Sequence, residues 1–339
     1  MNAIAPPAGP PVPIDQEVLR IDPEAVADAL AGTIRDQVLG RLRRRGAVLG
    51  LSGGIDSSVT AALCARALGP ERVLAVLMPE ADSDPDSLEL GRIVAERYGI
   101  PVVVEDIAPI LEAAGCYARR DAFIRAVVPE YGPGWRCKVA IRNALEGGYG
   151  LTFLVVESPE GERRTLRLPP EVYRGLIAAT NMKQRTRKQL EYYHADRLGY
   201  AVAGTPNRLE WDQGFFVKNG DGAADFKPIA HLYKTQVYQL AEHLGVPEPV
   251  RRRPPTTDTW SLPQTQEEFY FSVSWDRMDL CLYGLEAGLP PEAVAPAAGL
   301  APEQVARVYA DIRAKRRATR YLHAPPLLAT DPAVEPAQA

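Results

Sequence analysis

The sequence predicts an α/β protein: a doubly wound parallel sheet with a helical C-terminal part and an inserted β-hairpin. Three observations carry that expectation. Short apolar runs recur between amphipathic stretches, as strands joined by crossover helices require. One of them, Ala47-Val48-Leu49-Gly50-Leu51, passes directly into Ser52-Gly53-Gly54 and then into a helical pattern from Ile55. Between 129 and 173 the alternation gives way to a Gly- and Pro-rich segment and two strand-forming runs.

Taken in order, Glu17 to Arg45 reads as a mostly helical lead-in, and its basic end (Arg41, Arg43, Arg44, Arg45) suits a helix C-terminus. The run from Ala47 to Leu51 is the first buried strand. The helix after it carries Val59, Ala62, Leu63 and Ala65 to Leu68, and stops at Gly69-Pro70. Val73 to Met78 is a second strand, and Ser83-Asp84-Pro85 opens a helix reaching Tyr98. Pro101 to Val104 is a third strand, and Ile107 to about Val128 reads as mostly helical. Thr152 to Val156 facing Arg163 to Arg167, around Ser158-Pro159-Glu160-Gly161, makes the hairpin. A long helix is expected from Asn181 to Leu198, a strand from Tyr200 to Gly204, a polar loop from Thr205 to Asp225 and a helix from His231 to Leu244. The remainder is helical with Pro breaks. Residues 1–16 read as a flexible leader, 17–325 as a single domain with an insertion at about 129–173, and 326–339 as a flexible tail.

Composition narrows the function. A chain of 339 residues holds one large α/β domain, and its net charge of −4 gives no support to duplex nucleic-acid binding. No apolar run approaches membrane-spanning length, and the N-terminus lacks the basic start and apolar core of a signal peptide. The expectation is a cytoplasmic protein with neither membrane nor nucleic-acid partner. Cys64, Cys116, Cys137 and Cys281 are scattered without C-x-x-C spacing and read as reduced structural thiols. The four histidines show no metal-ligand spacing either.

The chemistry-bearing stretch is Gly50 to Ser58. Strand, glycine turn and helix together aim backbone N–H groups and a helix N-terminus at an anion. The glycines let phosphate oxygens approach the main chain, and Ser52, Ser57 and Ser58 bring hydroxyls. Asp56 places a carboxylate beside them, which is favourable only with a bound cation. The stretch is neither G-x-x-x-x-G-K-[ST] nor G-x-G-x-x-G. It resembles the S-G-G-x-D-S loop of the ATP pyrophosphatases, which split ATP into AMP and pyrophosphate.

Four further stretches extend the likeness: Gly204-Thr205-Pro206-Asn207-Arg208-Leu209-Glu210, Phe216 to Asp225, Leu232-Tyr233-Lys234-Thr235-Gln236-Val237, and Pro255-Thr256-Thr257-Asp258-Thr259-Trp260. With them, from about Ala47 to Asp106 and again from Asn181 to Leu282, the chain resembles the synthetase domain of the NAD synthetases. The resemblance implies a Rossmann-like sheet of the adenine nucleotide alpha hydrolase type. It implies ATP as co-substrate on Gly50, Leu51, Ser52, Gly53, Gly54, Ile55, Asp56 and Ser57, with Thr205, Lys234 and Thr256. Mg²⁺ would sit on Asp56 and Glu210. Arg185, Lys218 and Asp225 would bind the acid, deamido-NAD in the family, and Asp56, Lys234 and Thr256 would carry the catalysis. A homodimer is implied as well.

The implied reaction uses no protein nucleophile. The substrate carboxylate attacks the α-phosphate of ATP, giving an acyl-adenylate and pyrophosphate, and ammonia then displaces AMP. Charge on the phosphates is neutralised by the metal and by lysine. Only about 45 residues precede the loop, too few for the glutaminase domain of glutamine-dependent members. Ammonia is therefore expected from solution or from a separate glutaminase subunit. Three departures from the family pattern stand out: Pro206, Leu209, and the segment Ala318 to His323, where a His-Lys pair is usual. The alternative reading is an amide synthetase of the same mechanism acting on another carboxylic acid, with the inserted hairpin reshaping its pocket.

Overall fold

Apolar runs of two to five residues make short strands, and the chain covers the two central ones on both faces. In the computed structural model, which describes residues 13–141 and 151–329, four such runs form a parallel sheet. They are β1 (Ala47–Gly50), β2 (Val73–Leu77), β3 (Val102–Val104) and β7 (Ala201–Val202), in the order β3-β2-β1-β7. The strand order reverses at β1, so the crevice between the C-terminal ends of β1 and β7 is where a doubly wound sheet receives ligands.

Helices α1 (Pro23–Arg35), α2 (Ile55–Leu68), α3 (Pro85–Tyr98) and α8 (Lys234–His243) share one apolar cluster with the first sheet face, including Leu49, Val59, Leu77 and Val237. The opposite face, with Val48, Leu74, Val76 and Val202, packs on Ala195 of α6 (Pro170–Leu198). β1 and β2 are buried along their apolar length, whereas β3 is an edge strand with Val102 and Val104 exposed.

Several element boundaries depart from the sequence reading. The lead-in is broken: a short turn at Gln16–Leu19, α1 capped by the Asp22 side chain, and a wide turn at Asp36–Arg41. Arg43 then takes a left-handed conformation, so the basic run leaves the helix rather than ending it. Residues 1–12 of the expected leader lie outside the described residues. Ile14 and Gln16 bond to the carbonyls of Ala293 and Ala297 in α11 (Pro291–Ala298), which docks the last part of that stretch. The helical stretch after Ile107 is α4 (Ala108–Ala113) and α5 (Cys116–Arg125), interrupted at Gly115, whose φ is +71°.

The inserted hairpin is a three-stranded antiparallel sheet. β4 (Arg136–Ile141) pairs with β5 (Thr152–Glu157), which pairs with β6 (Arg163–Arg167). Behind them α6 begins at Pro170 rather than Asn181, because Pro at the first helical position lacks only an N–H that would be unpaired there anyway. The polar loop after β7 holds a short helix, α7 (Arg208–Gln213), and α8 starts at Lys234 rather than His231. Past α9 (Glu248–Arg252), the C-terminal part is helical as expected, with α10 (Trp275–Glu286), α11 and α12 (Pro302–His323) around Met278, Leu282 and Val305. No described helix is long and apolar enough to cross a membrane.

Candidate active site

The turn after β1 is built for close approach. Gly53 has φ +71°, and a Cβ there would lie 2.6 Å from Leu90 Cβ and 2.9 Å from the Ser87 carbonyl oxygen. Only glycine lets the loop rest on α3 in this conformation. Gly54 precedes α2 and no side chain caps that helix, so its first amides stay available to an anion. The Ser57 and Ser58 hydroxyls donate to the Gly54 carbonyl at 3.0 and 2.8 Å, and Ser52 Oγ lies 3.2 Å from Ser57 Oγ. Ser58 is fully buried and serves the helix turn rather than the open side of the loop.

A cavity of about 810 Å³ opens over this turn. It is lined by Gly50, Leu51, Ser52, Gly54, Ile55, Asp56 and Ser57, by Thr205 and Glu210 from beyond β7, and by Lys234 and Thr256. Arg185 and Lys218 line its far side. Gly53 and Asp225 do not. Gly53 faces α3, and Asp225 turns back to the sheet, where its Oδ2 accepts the Val202 amide at 2.7 Å and its Oδ1 the Tyr192 hydroxyl at 3.3 Å.

A buried charge cluster joins α2, α7 and α8. Lys234, the first residue of α8, is 1% exposed and its ammonium pairs with Asp56. Burial works against that charge, but the Asp56 and Glu210 carboxylates outweigh it and hold the lysine above its ordinary pKa. The Asp56 Oδ1 also accepts from the Asn207 side-chain amide at 3.0 Å. Glu210 Oε1 accepts from Gln266 at 2.9 Å, while burial and the nearby Asp56 push its pKa up to about 8.

Two carboxylates thus share one buried lysine, a set short of positive charge. Among the described residues no three His, Cys, Asp or Glu side chains gather at one point. A pair is what Mg²⁺ needs from a protein when phosphates and water complete its shell, so the donor set fits that ion. Asp279 of α10 anchors the arrangement from behind, accepting the amides of Lys234 at 3.2 Å and Thr235 at 2.6 Å. Burial raises its own pKa to about 7.

On the far side Arg185 Nε donates to the Lys218 carbonyl at 3.3 Å. The Lys218 ammonium donates to the carbonyls of Tyr321 and Ala324 at 2.7 and 3.0 Å, so the end of α12 folds over this wall. His323 sits edge-on to Trp211 and Phe216, with centroids 4.6 and 5.0 Å apart.

Sequence reasoning passed over four residues here. Asn207 and Glu210 form a reciprocal capping box at the start of α7, a pattern legible as N-x-x-E. Gln266 holds Glu210 and gives no signal of its own. Lys188 and Glu191, a buried pair 2.6 Å apart on α6, also line the cavity, and Glu191 would lie 2.9 Å from a Cβ on Gly50. Their i, i+3 spacing was the available cue.

Comparison with known proteins identifies the family. A family model described as NAD synthase matches residues 26–126 and 168–320, leaving out the segment that carries β4 to β6. The NH(3)-dependent NAD(+) synthetase of Rhizobium meliloti (strain 1021) is 66% identical over 313 residues, 92% of this chain and 93% of that one. The enzyme of that name from Thermotoga neapolitana is 37% identical over 261 residues, 76% of this chain and 83% of that one. Among solved structures, the NMN synthetase of Francisella tularensis superposes with a TM-score of 0.63 at 22% identity, covering 91% of this chain and 98% of that one. The NH3-dependent NAD synthetase of Campylobacter jejuni gives 0.60 at 22% identity, covering 91% and 100%. These last two speak for the fold. A family model that matches residues 26–126 and 168–320, with relatives 37 and 66% identical over most of the chain, leads to one conclusion: the chain belongs to the NAD synthase family.

Proposed function

We propose that this protein converts deamido-NAD to NAD, using ATP and ammonia and releasing AMP and pyrophosphate. It is a carbon–nitrogen ligase. Three curated relatives at 60 to 66% identity over 92 to 93% of the chain carry the name NH(3)-dependent NAD(+) synthetase, which supports both substrate and nitrogen donor. The observation that carries the reading is the Asp56–Lys234–Glu210 cluster beside the uncapped start of α2.

In this reading the Gly50–Ser57 loop and the first amides of α2 hold the ATP phosphates. Asp56 and Glu210 would hold Mg²⁺, which when bound would neutralise phosphate charge. Lys234 keeps its proton because two carboxylates face it, so it presents fixed positive charge to the pyrophosphate as it leaves. Thr256 contributes a hydroxyl from the opposite wall, and Thr205 sits beside the nucleotide. Arg185 and Lys218 supply positive charge for the acid substrate. Asp225 acts from behind by fixing β7 and Tyr192. The working form is a cytoplasmic homodimer, with Val102 and Val104 of the edge strand β3 as available apolar surface.

The test is pyrophosphate release from ATP, Mg²⁺ and ammonium chloride, with and without deamido-NAD, followed by identification of the product. Release that depends on deamido-NAD and yields NAD supports the reading. ATP cleavage that ignores deamido-NAD but responds to another carboxylic acid overturns the substrate.

A further inference from the structure

The strand β4 lies in the segment outside the family match, yet one of its edges is not left open. Its free side runs along residues 261–264. The Leu262 amide donates to the Cys137 carbonyl at 3.1 Å, and the Cys137 amide donates to Ser261 Oγ at 2.9 Å. Gln264, 5% exposed, donates through its side-chain amide to the Val139 carbonyl. Its Oε1 accepts from the Thr257 hydroxyl at 3.2 Å. Trp260 is buried in the core of the inserted sheet with Cys137, Val139 and Leu154. Thr256 is paired antiparallel with Thr265, closing the two arms of this segment on each other.

That segment is a wall of the cavity, lined by Thr256 to Trp260. Its other attachments come from the part of the fold that the family model matches. Buried Lys183 of α6 donates to the Thr259 carbonyl at 2.7 Å while pairing with Glu80 and Asp82. Asp258, in a left-handed conformation, accepts the Asp84 amide at 2.8 Å.

We propose that Gln264 is a positioning residue for ATP, through which the inserted sheet fixes the segment carrying Thr256. It touches no cavity space itself. It joins β4 to Thr257, and thereby removes freedom that a cavity-lining loop of a dozen residues would otherwise lose on binding nucleotide. The inference rests on the ATP-dependent reading above and adds to it a function for the insertion: pre-ordering one wall of the nucleotide site.

The test compares Gln264→Ala with the wild type in direct ATP titrations, in steady-state kinetics and in hydrogen exchange over 254–266. The expected result is an ATP affinity and a KM for ATP weaker by about tenfold, the loss that two hydrogen bonds to an ordered loop imply. The KM for deamido-NAD stays within about twofold, and amides of 254–266 exchange faster. Unchanged ATP affinity, or ATP and deamido-NAD constants rising together, overturns the proposal. Should Gln264→Ala not fold, Ser261→Ala, which loses the hydroxyl that accepts the Cys137 amide and faces its carbonyl and thiol, decides by the same readouts whether β4 orders this segment. If the wild type proves inactive on deamido-NAD, the substrate reading fails, while the ATP titration still decides the role of Gln264.

Discussion

The two sheets of this protein solve different problems. In the parallel sheet, β1 and β2 are covered on both faces, and only Gly50, Val76 and Leu77 at their C-terminal ends reach the cavity. All their C-terminal ends point one way, so the loops that follow converge on one crevice with a helix N-terminus aimed into it. The antiparallel sheet has no such common end. One face buries Cys137, Val139, Leu154 and Val156, while Arg163, Arg164 and Arg167 stand on exposed β6. Glu157 pairs with both Arg136 and Arg163, and Arg164 reaches Glu130 at 2.7 Å. What this sheet can offer is an edge, and β4 uses it to hold a loop. Chemistry collects at the ends of parallel strands, and support comes from the flanks of antiparallel ones.

The sharpest way to break that division is at Asp56. Asp56→Asn keeps the shape and the neighbouring Asn207, and is expected to lower kcat by about a hundred- to a thousandfold. Circular dichroism of the variant should match the wild type. Normal turnover would move the chemistry away from the end of β1.

A smaller effect reads the same cluster through stability. Glu210 has its pKa raised from 4.5 to about 8, so the folded state holds a proton that the unfolded state gives up. Its contribution is complete below its ordinary pKa and is lost as pH rises through about 8. With chelator present, urea stability should therefore fall between about pH 5 and pH 8, and Glu210→Gln should recover about 2 kcal/mol at the upper end. Asp279, raised to about 7, leaves part of the decline in place. Mg²⁺ should restore the wild type at pH 8 and leave Glu210→Gln unmoved.

The smallest contrast uses two glycines with nearly the same backbone. Gly53 (φ +71°) is pressed against Leu90, and Gly161 (φ +85°), in the β5–β6 turn, has nothing within 4 Å of an added Cβ. Gly161→Ala should cost about 1 kcal/mol from conformation alone and leave activity intact. Gly53→Ala should cost about 2 kcal/mol or more and lower activity as well, measured by denaturation and pyrophosphate release. Equal costs would mean that the turn after β1 can shift off α3.

The parallel core was legible because its signals are local: an apolar run, then two glycines, then a helix, all within Ala47 to Leu68. The same holds for Lys234 and Thr256, whose flanking motifs single them out and which both line the cavity. β4 was not legible. Its alternation, with Cys137 and Val139 inward, is short, and it follows Gly132, Pro133 and Gly134, which read as loop. The segment 142–150 between it and β5 lies outside the described residues. Gln264 and Gln266 were invisible for a different reason: what they do depends on partners more than fifty residues away in sequence, Val139 and Glu210. Asp225 shows the converse, since its motif is clear while its side chain faces β7 rather than the cavity.

Helix α6 is one unbroken piece of 29 residues, about 43 Å long. Leu176 near its start belongs to the core of the inserted sheet, Met182 and Leu190 pack with Ile107 and Leu111, and Ala195 covers the parallel sheet. Arg185, Lys188 and Glu191 lie between these contacts, on the cavity. The rod is thus a second ruler, beside the 256–264 segment, between the inserted sheet and the nucleotide site. A change that lengthens or turns it at one end resets the distances at the other, so the inserted sheet and the nucleotide site are mechanically coupled through it.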